Sequence, residues 1–337
     1  MDTGTHIAMG LALGTVATMD LSISQNPDLY IGLFTATVVG SHAPDFDTVF
    51  KFKNNASFIR YHRGFSHSIP MIFFWGFSIA TLIYVFIPAL SFLYLLSWTL
   101  FSVILHVFVD LFNAYGTQAL RPFSNKWIAL GLINTFDPYI FLLHIAGIAS
   151  YVAGANPLFT WLIIYFVIVL YYIKRFLDKR EIVKEIKKHY PETIHIYTSP
   201  TVRQNEWRVA FKSKEFFYVG IVINGHIKVI DTFENIPLPD IPLVNVALKD
   251  KNIEAFINFS PIYRWDIKQF DHYTEVQFID LRYRYEDHYP FVALARVNAK
   301  GELLSSFTGW IYNTRKLKTK LQVKPSTSKK MVFRRNS

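Results

Sequence analysis

The chain of 337 residues contains no cysteine. Disulfides and thiolate metal sites are therefore excluded, and any metal must be held by imidazole nitrogen and carboxylate oxygen. Glutamate is missing from the first 180 residues, where all eight acids are Asp. Charge of either sign is scarce there, with eight acids and ten bases against seventeen and twenty-five in the remainder. The first half is thus the membrane candidate and the second half a soluble region. The opening Met1-Asp2-Thr3-Gly4-Thr5-His6 lacks the basic segment that a cleavable secretory signal requires.

Long apolar runs are what the first half does have. Residues 69–90 and 92–112 each suffice to span a bilayer, for which roughly 20 residues are needed. Pro88-Ala89-Leu90-Ser91 between them allows only a tight connection, which predicts an antiparallel hairpin. Residues 157–177 form a third span, and residues 138–153 are a shorter apolar stretch suited to a thin or protein-lined region. Residues 7–18 and 29–39 are too short to span unaided, and their Gly, Ala and Thr suit close helix packing. They read equally as two short spans or as two half-buried amphipathic helices.

From residue 179 to 189 a charged helix leaves the membrane, and beyond it aromatic and β-branched residues alternate. Asn224-Gly225 between apolar runs is a hairpin signal, and residues 274–285 and 291–297 carry similar strand patterns. The expected fold class is α+β. A multi-pass helical membrane bundle (1–178) precedes a charged linker helix (179–192), a small soluble β-rich domain (193–313) and a basic disordered tail (314–337).

Ionisable groups inside such a bundle are costly unless paired, hydrated or bound to metal. Five clusters nevertheless border the apolar runs: His6, Pro44-Asp45-Phe46-Asp47, His62-Arg63-Gly64-Phe65-Ser66-His67, His106-x-x-x-Asp110 and Asp137-Pro138. A hairpin returns to the side it left, so His67 before its first arm and Asp110 at the end of its second share one side. His106 and Asp110 are four apart and lie on one helical face. Asp137 opens the next crossing from that side, and His6 and Asp45 flank the there-and-back pair of short helices. All ten Lys and Arg of residues 1–180 fall on the same side, from Lys51 and Lys53 to Lys179 and Arg180, and the opposite connections have none. The positive-inside rule places that face, both termini and the β-rich domain in the cytoplasm.

Each cluster alone has an ordinary reading: an incidental His-x-x-x-Asp, an Asp turn or helix cap, histidines with their tips in interfacial water. Together they point to a polyvalent metal site, in which two or more divalent ions offset the carboxylates and activate water. Zinc suits His plus Asp, with manganese next. Arg63 reads either as a phosphate holder or as a positive-inside anchor. Asp47, two residues from Asp45, is the expected general base. His42 is expected behind the site or at a helix end, and His144 as a hydrogen-bond donor within the bundle. The five later histidines have no ligand spacing.

The series Thr5-His6, Pro44-Asp45-x-Asp47, His62-Arg63-Gly64-x-Ser66-His67-Ser68, His106-x-x-x-Asp110, Tyr115-Gly116-Thr117, Pro122-Phe123-Ser124 and Asp137-Pro138 resembles the YdjM-like family over residues 1–175. That family consists of inner-membrane proteins classed as metal-dependent hydrolases. Its spacing is similar to that of zinc-dependent phospholipase C and the single-strand nucleases of the same fold, which cleave phosphoesters. The resemblance implies His6, Asp45, His62, His106 and Asp110 as metal ligands, with Asp47, His67 and Asp137 after them. The chain departs from the phospholipase pattern in having no second His-x-x-x-Glu, which argues against a full three-metal cluster.

Two functions compete. One is a membrane-embedded hydrolase acting on a phosphoester or lipid-derived substrate. The other is a non-catalytic membrane regulator with a structural metal site, whose β-rich domain and tail bind a protein, anionic lipid or nucleic acid. Nine Lys or Arg and no acid between residues 315 and 335 suit anionic lipid. No recognition helix or aromatic RNA-binding motif supports specific nucleic-acid binding.

Overall fold

The structure, a computed structural model, describes residues 1–52 and 63–311, with the side chains of 49–52 left aside. His62 and the basic tail lie outside the described residues.

Local chemistry sets most helix starts. α1 (Thr3–Ala17) begins where the Asp2 carboxylate accepts from the Thr5 N–H, and the short α2 (Leu21–Ser24) is capped by Asp20 in the same way. α3 (Pro27–Gly40) combines an Asn26 cap with proline in its first turn. A 3-10 helical segment (Ala43–Phe52) carries the Asp turn. α4 (Ile69–Phe86) and α5 (Phe92–Asp110) form the expected hairpin, followed by α6 (Pro138–Val152) and α7 (Pro157–His189). Proline stands in the first turn of α4, α6 and α7, where the missing N–H costs nothing.

Three of these helices, α4, α5 and α7, are long and apolar enough to cross a membrane, and α6 is a shorter apolar helix. Phe74, Leu82, Phe86, Leu93, Phe101 and Phe166 are exposed on them, which hydrocarbon contact would accommodate. α1 is different. Ten of its fifteen residues are buried, so it is wrapped by its neighbours rather than lying half-buried. At 15 and 14 residues α1 and α3 reach only about 22 Å, short of a hydrocarbon core of about 30 Å. Leu33 and Ala36 of α3 pack with Ile79, Ala80 and Leu95 of the hairpin, while Met9 and Ala12 of α1 pack with Val109, Ile140 and Trp161.

The third long apolar run and the charged segment are one continuous helix of 33 residues, α7. No proline or glycine interrupts the chain between Pro157 and Pro191, and Lys187, Lys188 and His189 in the last turn favour its carboxyl end. Its far end becomes part of the core beneath the first sheet, where Ile182 and Ile186 pack on Trp207, Val209 and Phe211.

Beyond α7 the sheet structure is double. β1 (His195–Pro200), β2 (Glu206–Lys212), β3 (Phe216–Ile223) and β4 (His226–Glu234) form one antiparallel meander. α8 (Pro242–Leu248) and α9 (Lys251–Phe259) then lead to β5 (Tyr263–Gln269), β6 (Thr274–Asp280), β7 (Phe291–Val297) and β8 (Leu303–Trp310), a second meander. The Asn224-Gly225 turn takes positive φ at both residues, 51° and 82°, as a two-residue hairpin turn requires. α8 and α9 cover one face of the second sheet through Val244, Ile253 and Phe256. The two sheets meet through Ala210, Phe217 and Val219 against Ile262 and Leu281. Arg284 and Tyr289 both donate to Asp231 at 2.7 Å. Burial alone would raise that carboxyl, yet these two bonds hold it below the usual range.

The helical part is fastened to the first sheet by a buried cation. Arg175 of α7 donates to the carbonyls of Leu132 (3.2 Å) and Gln204 (2.8 Å), and its guanidinium lies 4.1 Å from the Trp207 ring centre. Gly131, at φ 55°, lets its backbone approach β1, where an added Cβ would stand 2.4 Å from the Thr198 carbonyl oxygen.

Candidate metal centre

Residues from three separate stretches of chain converge where the hairpin and the short helices end. Asp45 comes from the 3-10 segment, His67 from the loop before α4, and His106 and Asp110 from the last turns of α5. One ligating atom from each lies within 4.8 Å of all the others, and all four residues are buried. Such a group can hold a metal ion. His106 Nε2 stands 3.8 Å from both Asp45 Oδ1 and Asp110 Oδ2, and His67 Nε2 stands 3.7 and 3.4 Å from the same atoms.

The hydrogen bonds behind the two imidazoles decide which nitrogen each presents. His106 Nδ1 lies 2.6 Å from the Ser41 carbonyl oxygen, an acceptor only, so Nδ1 carries the proton and Nε2 is bare. His67 Nδ1 lies 2.9 Å from Ser66 Oγ, whose hydroxyl donates to Asp47 Oδ2. With its own proton committed, Ser66 accepts from His67 Nδ1–H, and again Nε2 is bare. The two Nε2 atoms face each other at 3.2 Å. Two lone pairs at that distance repel unless a cation sits between them and the flanking carboxylates. Metal-binding histidines are ordinarily oriented in this way through their second nitrogen.

His6 stacks on His106 with ring centres 3.7 Å apart, and its Nε2 is 3.5 Å from Asp110 Oδ1. Neither His6 ring nitrogen has a hydrogen-bond partner among the described residues, although the ring is fully buried. The Met1 amine also contacts Asp110 Oδ1, to which the Asn113 amide donates at 3.2 Å. Arg63 is the nearby cation. Its guanidinium donates to the Met1 carbonyl at 3.2 Å and stands 3.4 Å from Asp110 Oδ2, while Nη1 has no partner among the described residues. It holds a left-handed φ of 58°, rare outside glycine. That conformation lets its N–H reach Asp47 Oδ2 at 3.1 Å and its carbonyl accept from the Gln118 N–H at 2.9 Å.

Of the other sequence candidates, Asp47 stands two hydrogen bonds behind His67, through Ser66. Asp137 caps α6, accepting from the Tyr139 and Ile140 N–H groups, and receives the Tyr171 hydroxyl at 2.8 Å. It does not belong to the four-residue group. The Asp137-Pro138 pair at the start of an apolar run already carried the signature of a cap. His144 donates to the Ile140 carbonyl at 2.7 Å, as expected. His42 follows the Ser41 cap of α3 and packs edge-on against Phe46. The orienting groups Ser41 and Ser66 escaped sequence reasoning. Ser66 stood inside the quoted loop motif, whereas a backbone carbonyl such as that of Ser41 leaves no trace in residue identity.

Comparison with known proteins divides the chain into three stretches. Residues 1–182 match the family model described as YdjM inner membrane protein. Residues 191–233 match the YfhP middle domain, and residues 242–321 the YfhP C-terminal alpha/beta plait domain. The uncharacterized protein YfhP of Bacillus subtilis (strain 168) is 48% identical over 324 residues, covering 96% of this chain and 99% of the relative. No solved structure matches.

Proposed function

The chain belongs to the YdjM inner membrane protein family, and on that premise we propose that it is a multi-pass, metal-dependent hydrolase whose centre opens on the cytoplasmic side of the inner membrane. Its substrate in this reading is a phosphoester or a lipid-derived molecule. The observation that carries the reading is the convergence of His67 Nε2 and His106 Nε2, 3.2 Å apart, with the buried carboxylates of Asp45 and Asp110 within 3.8 Å of both.

Imidazole and carboxylate donors together suit zinc, with manganese next. Asp45, His67, His106 and Asp110 would hold the first ion. His6, with its unpartnered nitrogens, would share Asp110 with a second. When bound, such ions supply a water acidified towards neutral pH and polarise the electrophile. Arg63 would bind a phosphate oxygen through its unpartnered Nη1, held in place by Met1 and Asp110. Asp47, expected from the sequence as the general base, takes a positioning role in this reading. It fixes Ser66, which fixes the His67 ring.

The positioning chain has a measurable consequence. Asp47→Asn and Ser66→Ala should each weaken metal binding about 10–100-fold while leaving the protein folded. Metal titration of detergent-purified protein reads this directly, and wild-type affinity in both variants would overturn the assigned roles. The function itself is tested by elemental analysis followed by a phosphoester, ester and amide screen of the metal-loaded protein in lipid. Two or more bound ions and turnover are expected. A loaded protein that cleaves none of these would sink the hydrolase reading in favour of a regulator with a structural metal site.

Orientation rests on the one-sided placement of the basic residues. In this cysteine-free chain, cysteine placed at Ala155 should react with an impermeant thiol reagent in intact cells. Cysteine at Asn125 should react only after the cells are opened. The reverse pattern would invert the topology.

A further inference from the structure

A second site lies where the three matched stretches of chain meet. The loop before α6, strands β1 and β2, and the ends of α9 and β6 enclose a cavity of about 430 Å³, within the range of small-molecule sites. Four cations line it, Lys126, Lys179, Arg208 and Arg282, and no Asp or Glu does. Arg282 is neutralised by Asp280, to which its Nη2 donates at 2.7 Å. Lys179 donates to the Leu130 carbonyl at 2.6 Å and has no carboxylate partner among the described residues. Lys126 and Arg208 are exposed and pair with no carboxylate among the described residues. The balance is an excess of three positive charges around one partly open, concave space.

The remaining lining adds donors and flat apolar surface. Asn125, Asn258, Thr198 and Ser199 supply amide and hydroxyl groups, and Trp127 and Phe259 supply aromatic faces. A smaller cavity of about 250 Å³ shares Asn125, Trp127, Asn258 and Phe259 and adds Arg121. One wall is the stacked pair Tyr115 and Tyr283, with ring centres 5.4 Å apart. The Arg63 guanidinium lies 5.9 Å from the centre of the Tyr115 ring. Tyr115 therefore stands between this cavity and the cation that touches Asp110.

We propose that this cavity binds a phosphate-bearing ligand, its phosphate held by Lys126, Lys179 and Arg208 and its remainder lying against the aromatic wall. Three cations, clustered amide donors and the absence of any lining carboxylate match a multiply charged oxyanion, as they would not match a cation or a purely apolar ligand. The site draws on all three matched stretches, so it exists only in the assembled chain. It does not depend on the metal centre being catalytic.

Phosphate can arrive in a soluble molecule or in a lipid headgroup, and the test has one arm for each. Full-length protein, stripped of metal on a chelating resin, is placed in phosphatidylcholine nanodiscs and titrated calorimetrically with inorganic pyrophosphate. In parallel, nanodiscs containing phosphatidic acid are examined for lipid retained on the protein by native mass spectrometry. Saturable binding is expected in at least one arm. The double variant Lys126→Gln with Arg208→Gln should weaken it at least about tenfold, since two charge-assisted contacts are lost. Both residues are exposed, so the fold should survive, as circular dichroism would verify. Lys184→Gln with Lys187→Gln removes equal charge elsewhere and should bind as wild type. Absence of binding in both arms, an unaffected Lys126/Arg208 variant, or an equal loss in the Lys184/Lys187 control would each overturn the proposal.

Discussion

Replacing His106 by alanine is expected to strip the metal centre while the protein remains folded in detergent. Its Nε2 faces His67 Nε2 at 3.2 Å and both cluster carboxylates at 3.8 Å, so its loss removes one of the two nitrogen donors of the group. Removing a group that only orients a ligand typically costs 10–100-fold in affinity, so loss of the ligand itself should exceed about 100-fold. The substitution also deletes a ring stacked on His6 and a hydrogen bond to Ser41, and some destabilisation will accompany it. His106→Gln keeps most of the volume and serves as the second variant. Elemental analysis should find both depleted of metal, with the monodisperse elution of the wild type. Wild-type metal content in both would dismiss the centre as drawn.

The other large effect is expected from Gly10→Val. A Cβ at Gly10 would stand 2.4 Å from Ser41 Oγ, 2.7 Å from Val38 Cα and 2.8 Å from the Thr37 carbonyl oxygen. Rotating the serine hydroxyl relieves only the first of these, so the α3 backbone itself must move. Small residues at crossings of buried helices exist to permit such approach. Overpacking a well-filled interior commonly costs 1–3 kcal/mol, and with two contacts to backbone the loss should be at least about 3 kcal/mol. A shift of α3 also moves the Ser41 carbonyl that fixes the His106 tautomer, so metal affinity should fall together with stability. Thermal unfolding in detergent and metal titration read the two effects. A variant that melts and binds metal like the wild type would mean that α1 and α3 do not pack as described.

Much of the site could be read from residue order, and the reasons are local. Apolar length marked the α4–α5 hairpin, and a hairpin must return its ends to one side, which brings His67 towards Asp110. The four-residue spacing places His106 beside it. Asp45 entered through a proline turn between helices, and Asn224-Gly225 named its own turn because both positions need positive φ. Asp137 shows the limit of this reasoning. Polar, adjacent to an apolar run and on the shared side, it met every criterion for a ligand that sequence could apply. Its oxygens are instead occupied by Tyr139, Ile140 and Tyr171, and the last of these lies 34 residues away.

The second half of the chain divides in the same way. Alternation announced strands but not how many sheets they form, because pairing depends on which edges meet after folding. α7 runs through what charge composition reads as a boundary, since a helix is broken by proline, glycine or an end-cap and not by a change of solvent.

By itself, then, the sequence determined the apolar helices, their there-and-back order, the common side of the polar clusters and the exclusion of thiolate chemistry. These follow from hydrophobic length, charge and composition, each of which is a property of a short stretch of chain. Only the tertiary structure decided that four of the candidates come within 4.8 Å of one another, that both imidazoles present Nε2, and that a cation-lined cavity forms between three stretches of chain. Those features arise from contacts between residues such as Ser41 and His106, 65 positions apart. Their geometry is set by the packing of whole helices and sheets, which no local pattern encodes.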